Sequence, residues 1–235
     1  MSTNPATASA LYRAQIGPWV RHRLQNTPGA FKIPAVGLDI FVVREFLSPE
    51  LCRQVIELID KDRVPSGLLA PTDDPEFRTS ESCNLRLTDP INILVEQKVN
   101  GLMGIDPRHG ETIQGQRYAV GQQFKEHHDF FYPSEPYWPE QERQGGQRTW
   151  TAMIFLNEPE GGGQTAFPKA NVRVTPRLGN LLAWNNLNEA GNPNMYSLHT
   201  GLPVEGGVKY IITKWYRERP WGWYAQQGVE PARPY

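Results

Sequence analysis

Leu51, Val55, Leu58 and Ile59 recur at three- and four-residue steps, the spacing that gathers apolar side chains on one face of a helix. Ser48-Pro49 stands just ahead of them, an N-cap serine followed by the residue that suits the first helical position. The pattern predicts a helix opening there. A second helix is expected from Asp89-Pro90, with Ile91, Leu94, Val95, Val99 and Leu102 turned to a core. Between the start and residue 35 the chain is polar, and Pro5, Gly17, Pro18, Pro28 and Gly29 interrupt any period. This stretch reads as a partly flexible N-terminal extension in which Leu11, Ile16, Trp19 and Val20 dock as a short amphipathic helix. Asp39-Ile40-Phe41-Val42-Val43 reads as a strand from its β-branched and aromatic content.

Beyond Gly104 the texture changes. Short β-rich runs alternate with Gly and Pro over Thr112–Val120, Gln123–Phe131, Thr149–Leu156, Asn180–Trp184 and Val208–Tyr216. Several short strands with turn signals indicate a sandwich or barrel rather than a parallel α/β sheet. The expected fold class is α+β, with helices first and a jelly-roll-like β core after them, and one domain spanning residues 36–235.

Composition narrows the function classes. A formal net charge of −1 gives no electrostatic footprint for nucleic acid or an anionic membrane. Cys52 and Cys83 make neither a disulfide framework nor a paired-thiol metal motif. No apolar run approaches the roughly 18 residues of a membrane span, and the N-terminus lacks a signal core. A soluble, cytoplasmic protein is the expectation.

The chemistry concentrates at His127-His128-Asp129, followed by His199 and Lys209. In an extended strand, residues two apart share a face, so His127 and Asp129 converge while His128 and Glu126 turn away. Two imidazoles and one carboxylate suit iron, manganese or zinc, and ligand types alone do not choose among them. A zinc hydrolase would also need a general base at the metal-bound water, and Glu126, the adjacent acid, sits on the wrong face. Lys209 shares a strand face with Ile211, Thr213 and Trp215. A lysine turned inward among such neighbours calls for an anion; its other reading is a side chain that reaches to solvent from an edge strand.

The segment Tyr118-Ala119-Val120-Gly121-Gln122-Gln123-Phe124-Lys125-Glu126-His127-His128-Asp129-Phe130-Phe131 resembles the metal-site segment of the prolyl 4-hydroxylase family of 2-oxoglutarate and Fe(II)-dependent dioxygenases. Further segments agree in order: Arg148 to Asn157, Gly161-Gly162-Gly163-Gln164-Thr165-Ala166-Phe167-Pro168, Gly179-Asn180-Leu181-Leu182, and the His199, Lys209, Trp215 block, with Arg78-Thr79-Ser80 upstream. The likeness runs over roughly residues 38 to 217. It implies a double-stranded β-helix with the site in its mouth. It further implies iron on His127, Asp129 and His199, and the distal carboxylate of 2-oxoglutarate on Lys209 with Tyr118 and Thr165 around it. The reaction implied is hydroxylation of an unactivated C–H bond with O2, releasing succinate and CO2, with L-ascorbate as an accessory reductant. Related halogenases carry a small residue in place of the carboxylate, so Asp129 argues for hydroxylation. Two departures stand out: Phe124 where the family usually has tyrosine, and Gln164 where glutamate is common.

The substrate implied by the likeness is a peptidyl proline in a peptide or protein, with a proline-rich partner as one of the readings. The alternatives are the same chemistry on a free amino acid or other small molecule, and a non-catalytic sensor that binds metal and 2-oxoglutarate. Arg78, Arg148 and Trp215 are candidate substrate contacts, and each arginine could equally serve a structural ion pair. Residues 132–147 form a Pro- and Glu-containing stretch after the metal motif that reads as a loop, with a lid or a plain surface loop as its two readings. Trp215, Tyr216, Trp221, Trp223 and Tyr224 form an aromatic tail, suited to covering the barrel end or stacking on a proline-rich peptide.

Overall fold

The computed structural model describes residues 5–70 and 72–222. Helices run over Pro5–Gln25 (α1), Pro49–Asp62 (α2), Pro90–Met103 (α3) and Trp138–Arg143 (α4). The first six strands are Ala30–Lys32 (β1), Ile40–Val43 (β2), Val64–Pro65 (β3), Glu81–Asn84 (β4), Gln114–Tyr118 (β5) and Phe124–His127 (β6). Arg148–Phe155 (β7), Gly161–Gly162 (β8), Thr165–Phe167 (β9), Val172–Val174 (β10) and Leu181–Asn185 (β11) come next. His199–Gly201 (β12), Val204–Gly206 (β13) and Lys209–Arg217 (β14) complete the set.

The strands build an eight-stranded sheet in the order β1-β2-β11-β7-β14-β5-β4-β3, a four-stranded sheet β10-β9-β12-β6, and the short pair β13-β8. This is the double-stranded β-helix. Alternation along the central strands divides the core in two. On β7, Trp150, Ala152 and Ile154 face the helices, in a cluster with Val55, Ile59, Val95 and Val99. Met153 and Phe155 face the opposite way, joining Phe167, Trp184 and Ile211 between the two larger sheets. The site lies at the open end of this second cluster.

Both predicted helix starts are present. The Ser48 hydroxyl accepts the Leu51 N–H at 3.2 Å, and the Asp89 carboxylate accepts from Ile91 and Asn92; such caps satisfy amides that have no partner within the helix. Leu94 departs from expectation: it is exposed, because the buried stripe of α3 runs through Val95, Val99 and Leu102.

The N-terminal region differs more. Residues 5–25 form one helix that continues through Gly17-Pro18, where a short helix inside an irregular stretch was expected. Ile16, Val20 and Leu24 are buried in the helix-facing core, and Leu11 and Trp19 are exposed. Gly17 is needed for the close approach: a Cβ there would sit 2.8 Å from Asn185 Nδ2. Arg13 pairs with Glu218, and Arg23 donates to the carbonyls of Leu102 and Gly101. None of the described helices is long and apolar enough to cross a membrane.

The stretch 132–147 carries α4 rather than being wholly irregular. Its base is closed by Gln147, whose amide donates to the Phe131 carbonyl and accepts the Phe131 N–H.

Candidate metal centre

Strand pairing brings the two histidines together. His127, the last residue of β6, lies opposite His199, the first of β12, in an antiparallel register. Their ring centroids are 4.2 Å apart. Each Nδ1 is engaged by a backbone carbonyl, Lys125 O at 2.7 Å and Ser197 O at 2.9 Å. Such bonds fix the tautomer and turn Nε2 toward the site. The strand was expected to continue past Asp129 but stops at His127. The bend that follows still carries the Asp129 carboxylate back, 4.0 Å from His127 Nε2 and 3.9 Å from His199 Nε2. Bonds of about 2 Å to a divalent ion hold donors roughly 3–4 Å apart, so the spacing fits one ion.

Protonation states suit a cation as well. Burial, helped by the neighbouring His199, pushes the His127 imidazolium down to about 3, leaving the ring neutral at neutral pH. Burial opposes ionisation of Asp129, but the two imidazoles, Arg148 and the Thr151 hydroxyl outweigh it and hold the acid below the usual carboxylate range. Neutral imidazole and ionised carboxylate are the metal-binding forms. Sequence reasoning missed the residues that orient Asp129. Thr151 donates to Asp129 Oδ2 at 2.7 Å, and Asn186 donates to the Thr151 hydroxyl at 2.8 Å. Packing completes the frame: Phe124 stacks on His127 with centroids 3.6 Å apart, and Trp184 meets His199 edge-on. His128 points elsewhere, as the alternation predicts, with its ring bonded to the Tyr132 hydroxyl at 2.8 Å. Glu126 is exposed.

The metal group opens into a cleft of about 760 Å³. Lys209, Ile211, Thr213 and Trp215 all line it, as their shared strand face requires. Lys209 is buried, and its ammonium makes no hydrogen bond or ion pair among the described residues. It stands over two aromatic rings, Tyr118 at 5.2 Å and Phe155 at 5.9 Å. Burial brings its pKa down to about 7. Thr165, across the same cleft, has a buried hydroxyl with no partner among the described residues. Gly163 precedes it at φ +68°, a left-handed conformation that brings the backbone against the Lys209 stem. Tyr118 is buried and donates its hydroxyl to Gln116 at 2.6 Å.

The candidate substrate contacts are all in the cleft wall. Arg148 makes a bidentate pair with Glu111, at 2.6 and 2.7 Å, between the rings of Trp215 and Phe131. Arg217 shares that carboxylate at 2.5 Å and ties it to α4 through Gln141 and the Gly146 carbonyl. Arg78 donates to Ser80, the Gly67 carbonyl and Gln114, over the Phe124 ring. Both arginines therefore have structural partners and expose only their remaining faces. A second loop missed in the sequence, with Leu68, Leu69 and Phe77, lines the cleft together with residues of 132–147. In the aromatic tail, Trp221 lines the cleft. Trp223 and Tyr224 lie outside the described residues.

Residues 113–217 match the model of the 2OG-Fe(II) oxygenase superfamily. The protein named "Probable prolyl 4-hydroxylase 3" of Arabidopsis thaliana is 31% identical over 199 residues, covering 74% of this chain and 68% of that one. The chain belongs to the prolyl 4-hydroxylase family.

Among solved structures, this family member is similar to the viral collagen prolyl hydroxylase of Paramecium Bursaria Chlorella virus-1 in its 2OG complex. The TM-score is 0.61 at 26% identity, over 76% of this chain and 95% of that one. A Trichoplax adhaerens prolyl hydroxylase shares the fold, with a TM-score of 0.59 at 16% identity, over 92% of this chain and 94% of that one. Membership in the prolyl 4-hydroxylase family makes the protein a 2-oxoglutarate-dependent dioxygenase that uses Fe(II) and O2. Phe124, stacked on His127, places no hydroxyl at that point of the cleft.

Proposed function

We propose that the protein hydroxylates a proline residue within a peptide or protein. His127, Asp129 and His199 hold Fe(II), and Lys209 holds the distal carboxylate of 2-oxoglutarate. The observation that carries this reading is the Lys209 ammonium: buried, without an anion among the described residues, and in one cleft with the three metal donors. A buried cation with no counter-charge is costly to keep, and a bound dicarboxylate supplies the missing charge. The unpartnered Thr165 hydroxyl offers that carboxylate a hydrogen bond, and Tyr118 forms the wall beside Lys209.

Bound iron, with 2-oxoglutarate and O2, supplies the oxidant that places a hydroxyl on an unactivated C–H bond while 2-oxoglutarate becomes succinate and CO2. The chain's own residues supply the rest. Thr151 and Asn186 orient the carboxylate ligand, the carbonyls of Lys125 and Ser197 orient the imidazoles, and Phe124, Phe167 and Trp184 pack around them. The loops around Leu69 and Tyr137 line the cleft and would help to exclude water once a chain has bound.

Support for a peptide comes from relatives: the Trichoplax adhaerens enzyme was solved with a hypoxia inducible factor peptide fragment. The aromatic wall of Phe131, Tyr137 and Trp215 suits a proline ring. Ascorbate fits as the reductant that rescues uncoupled turnover. The test is to incubate iron-loaded protein with 2-oxoglutarate, O2 and proline-containing peptides, following succinate and hydroxyproline together. Equal amounts of both are expected. Succinate stimulated by free amino acids but not by peptides would favour the small-molecule alternative. Absence of succinate with every substrate, with iron bound, would leave only the sensor.

A further inference from the structure

A second cavity, a groove of about 1800 Å³, lies between α1, α3 and the short turn Pro107–His109. It is more apolar than a surface groove needs to be. Trp19 is 37% exposed, Ile93 41% and Leu87 49%, and all three line it. Gln15 and Gln97 add exposed amides that have no hydrogen-bond partner among the described residues. Contiguous exposed apolar surface rimmed by polar groups marks a binding face.

The groove is not isolated from the metal cleft. Buried Glu111 and half-buried Thr112 and Trp221 line both cavities. The Trp221 backbone is held in place by its amide N–H, which donates to the Arg108 carbonyl at 2.8 Å. The two cavities therefore share three lining residues, while β14 turns Thr213 and Trp215 to the metal cleft and Lys214 to the groove.

We propose that this groove is an exosite for the substrate polypeptide: it takes a proline-rich stretch flanking the target proline that enters the metal cleft. The proposal rests on the peptidyl-proline reading above and adds where the rest of that chain goes. A polyproline strand presents ring faces and unpaired carbonyls but few N–H donors. Aromatic-lined grooves with side-chain donors recognise such strands. Trp19 and Trp221 supply the ring faces here, and the amides of Gln15 and Gln97 supply donors. From Ile93 to Gly104 the helix wall is ~16 Å long at the helical rise per residue. A polyproline strand covers that length with about five residues, so the exosite engages residues well beyond the reacting one.

The test compares a short peptide containing one target proline with peptides extended by proline-rich segments on either side. Succinate release gives KM and kcat for the wild type, Trp19→Ala and Ile93→Glu. A fluorescein-labelled extension lacking the target gives binding without turnover or iron. The expected result is a KM at least ~10-fold lower for one extended peptide, lost in both variants, with short-peptide kinetics within about twofold of wild type. Labelled extension should bind the wild type and neither variant. Both substitutions are at exposed positions, and matching thermal melts establish that the variants are folded.

Equal KM for short and extended peptides, with no binding of the extension, would overturn the exosite while leaving prolyl hydroxylation intact. A wild-type dimer in light scattering that Ile93→Glu splits, with peptide kinetics unchanged, would assign the face to a second copy and also overturn it. Absence of peptide-dependent succinate in every arm is the failure of the underlying reading, and binding of the labelled extension separates that case.

Discussion

Lys209 and Tyr118 are register partners across β14 and β5, and the Lys209 ammonium stands 5.2 Å over the Tyr118 ring with no carboxylate beside it among the described residues. Strand pairing puts a positive charge against an aromatic face inside the barrel mouth. A ring face attracts a cation only modestly, far less than burial costs it. The arrangement is unfavourable for the free protein and favourable for an anion. Function here is stored as an unmet charge.

That charge has a stability signature. In the unfolded chain Lys209 holds its proton up to about 10.5, and in the folded chain only below about 7. Between those values the unfolded state binds more protons, so this group's contribution to stability rises with pH across the window. Lys209→Met should stabilise the ligand-free protein, by a few kcal/mol at most near pH 7 or below, with the gain shrinking by up to ~1.4 kcal/mol per pH unit above it. Urea midpoints of both proteins from pH 6 to 10 check this. A variant less stable than wild type at every pH would make the lysine a packing element.

Binding of 2-oxoglutarate should show the same proton. Above pH 7 the free lysine is largely neutral, so capture of the carboxylate takes up a proton. Affinity should fall by up to ~10-fold per pH unit above about 7 and level off below it. Isothermal titrations in buffers of different ionisation enthalpy report the proton uptake directly. An affinity flat from pH 7 to 9 would mean that Lys209 stays charged in the free protein.

Thr151→Val keeps the shape of the side chain and removes the hydrogen bond to Asp129. Loss of an outer partner of a ligand typically weakens metal affinity 10–100-fold, and that is the expected change in the iron dissociation constant. Unchanged affinity would show that the bend after β6 holds the carboxylate unaided.

The N-terminal helix should behave as part of the folded domain. Leu24 is fully buried against the core that includes Val99 and Trp150. Leu24→Ala should cost about 2–5 kcal/mol, which for a chain of this size lowers Tm by roughly 5–15 °C. A Tm within a degree of wild type would make residues 1–35 a separable extension.

What could be read from the chain followed from local order. Helix starts at Ser48-Pro49 and Asp89-Pro90 are written in adjacent residues, and strand alternation was enough to separate His127 from His128 and to turn Lys209 inward. The strand carrying His127 ends there, so Asp129 converges through a bend that alternation does not describe. Thr151, Asn186 and Arg217 were invisible because they reach the site through pairing of β7 with β11 and β14, and Glu111 because its loop bonds to β14 at Trp215. Strands of two to four residues, such as β3, β8 and β12, are too short to show a period. Gly17-Pro18 looked like a break. It lies within a helix because Gly17 lets the backbone press against Asn185 and because Ile16, Val20 and Leu24 bury a continuous stripe.

The central claim is that His127, Asp129, His199 and Lys209 form one site for Fe(II) and 2-oxoglutarate. Anaerobic equilibrium dialysis with both ligands tests it most directly, on the wild type, Asp129→Ala and Lys209→Met. The wild type should bind one Fe(II) and one 2-oxoglutarate per chain, Asp129→Ala should lose tight binding of both, and Lys209→Met should keep the iron and lose the 2-oxoglutarate. Tight iron binding retained by Asp129→Ala, or 2-oxoglutarate bound equally well by Lys209→Met, would contradict it.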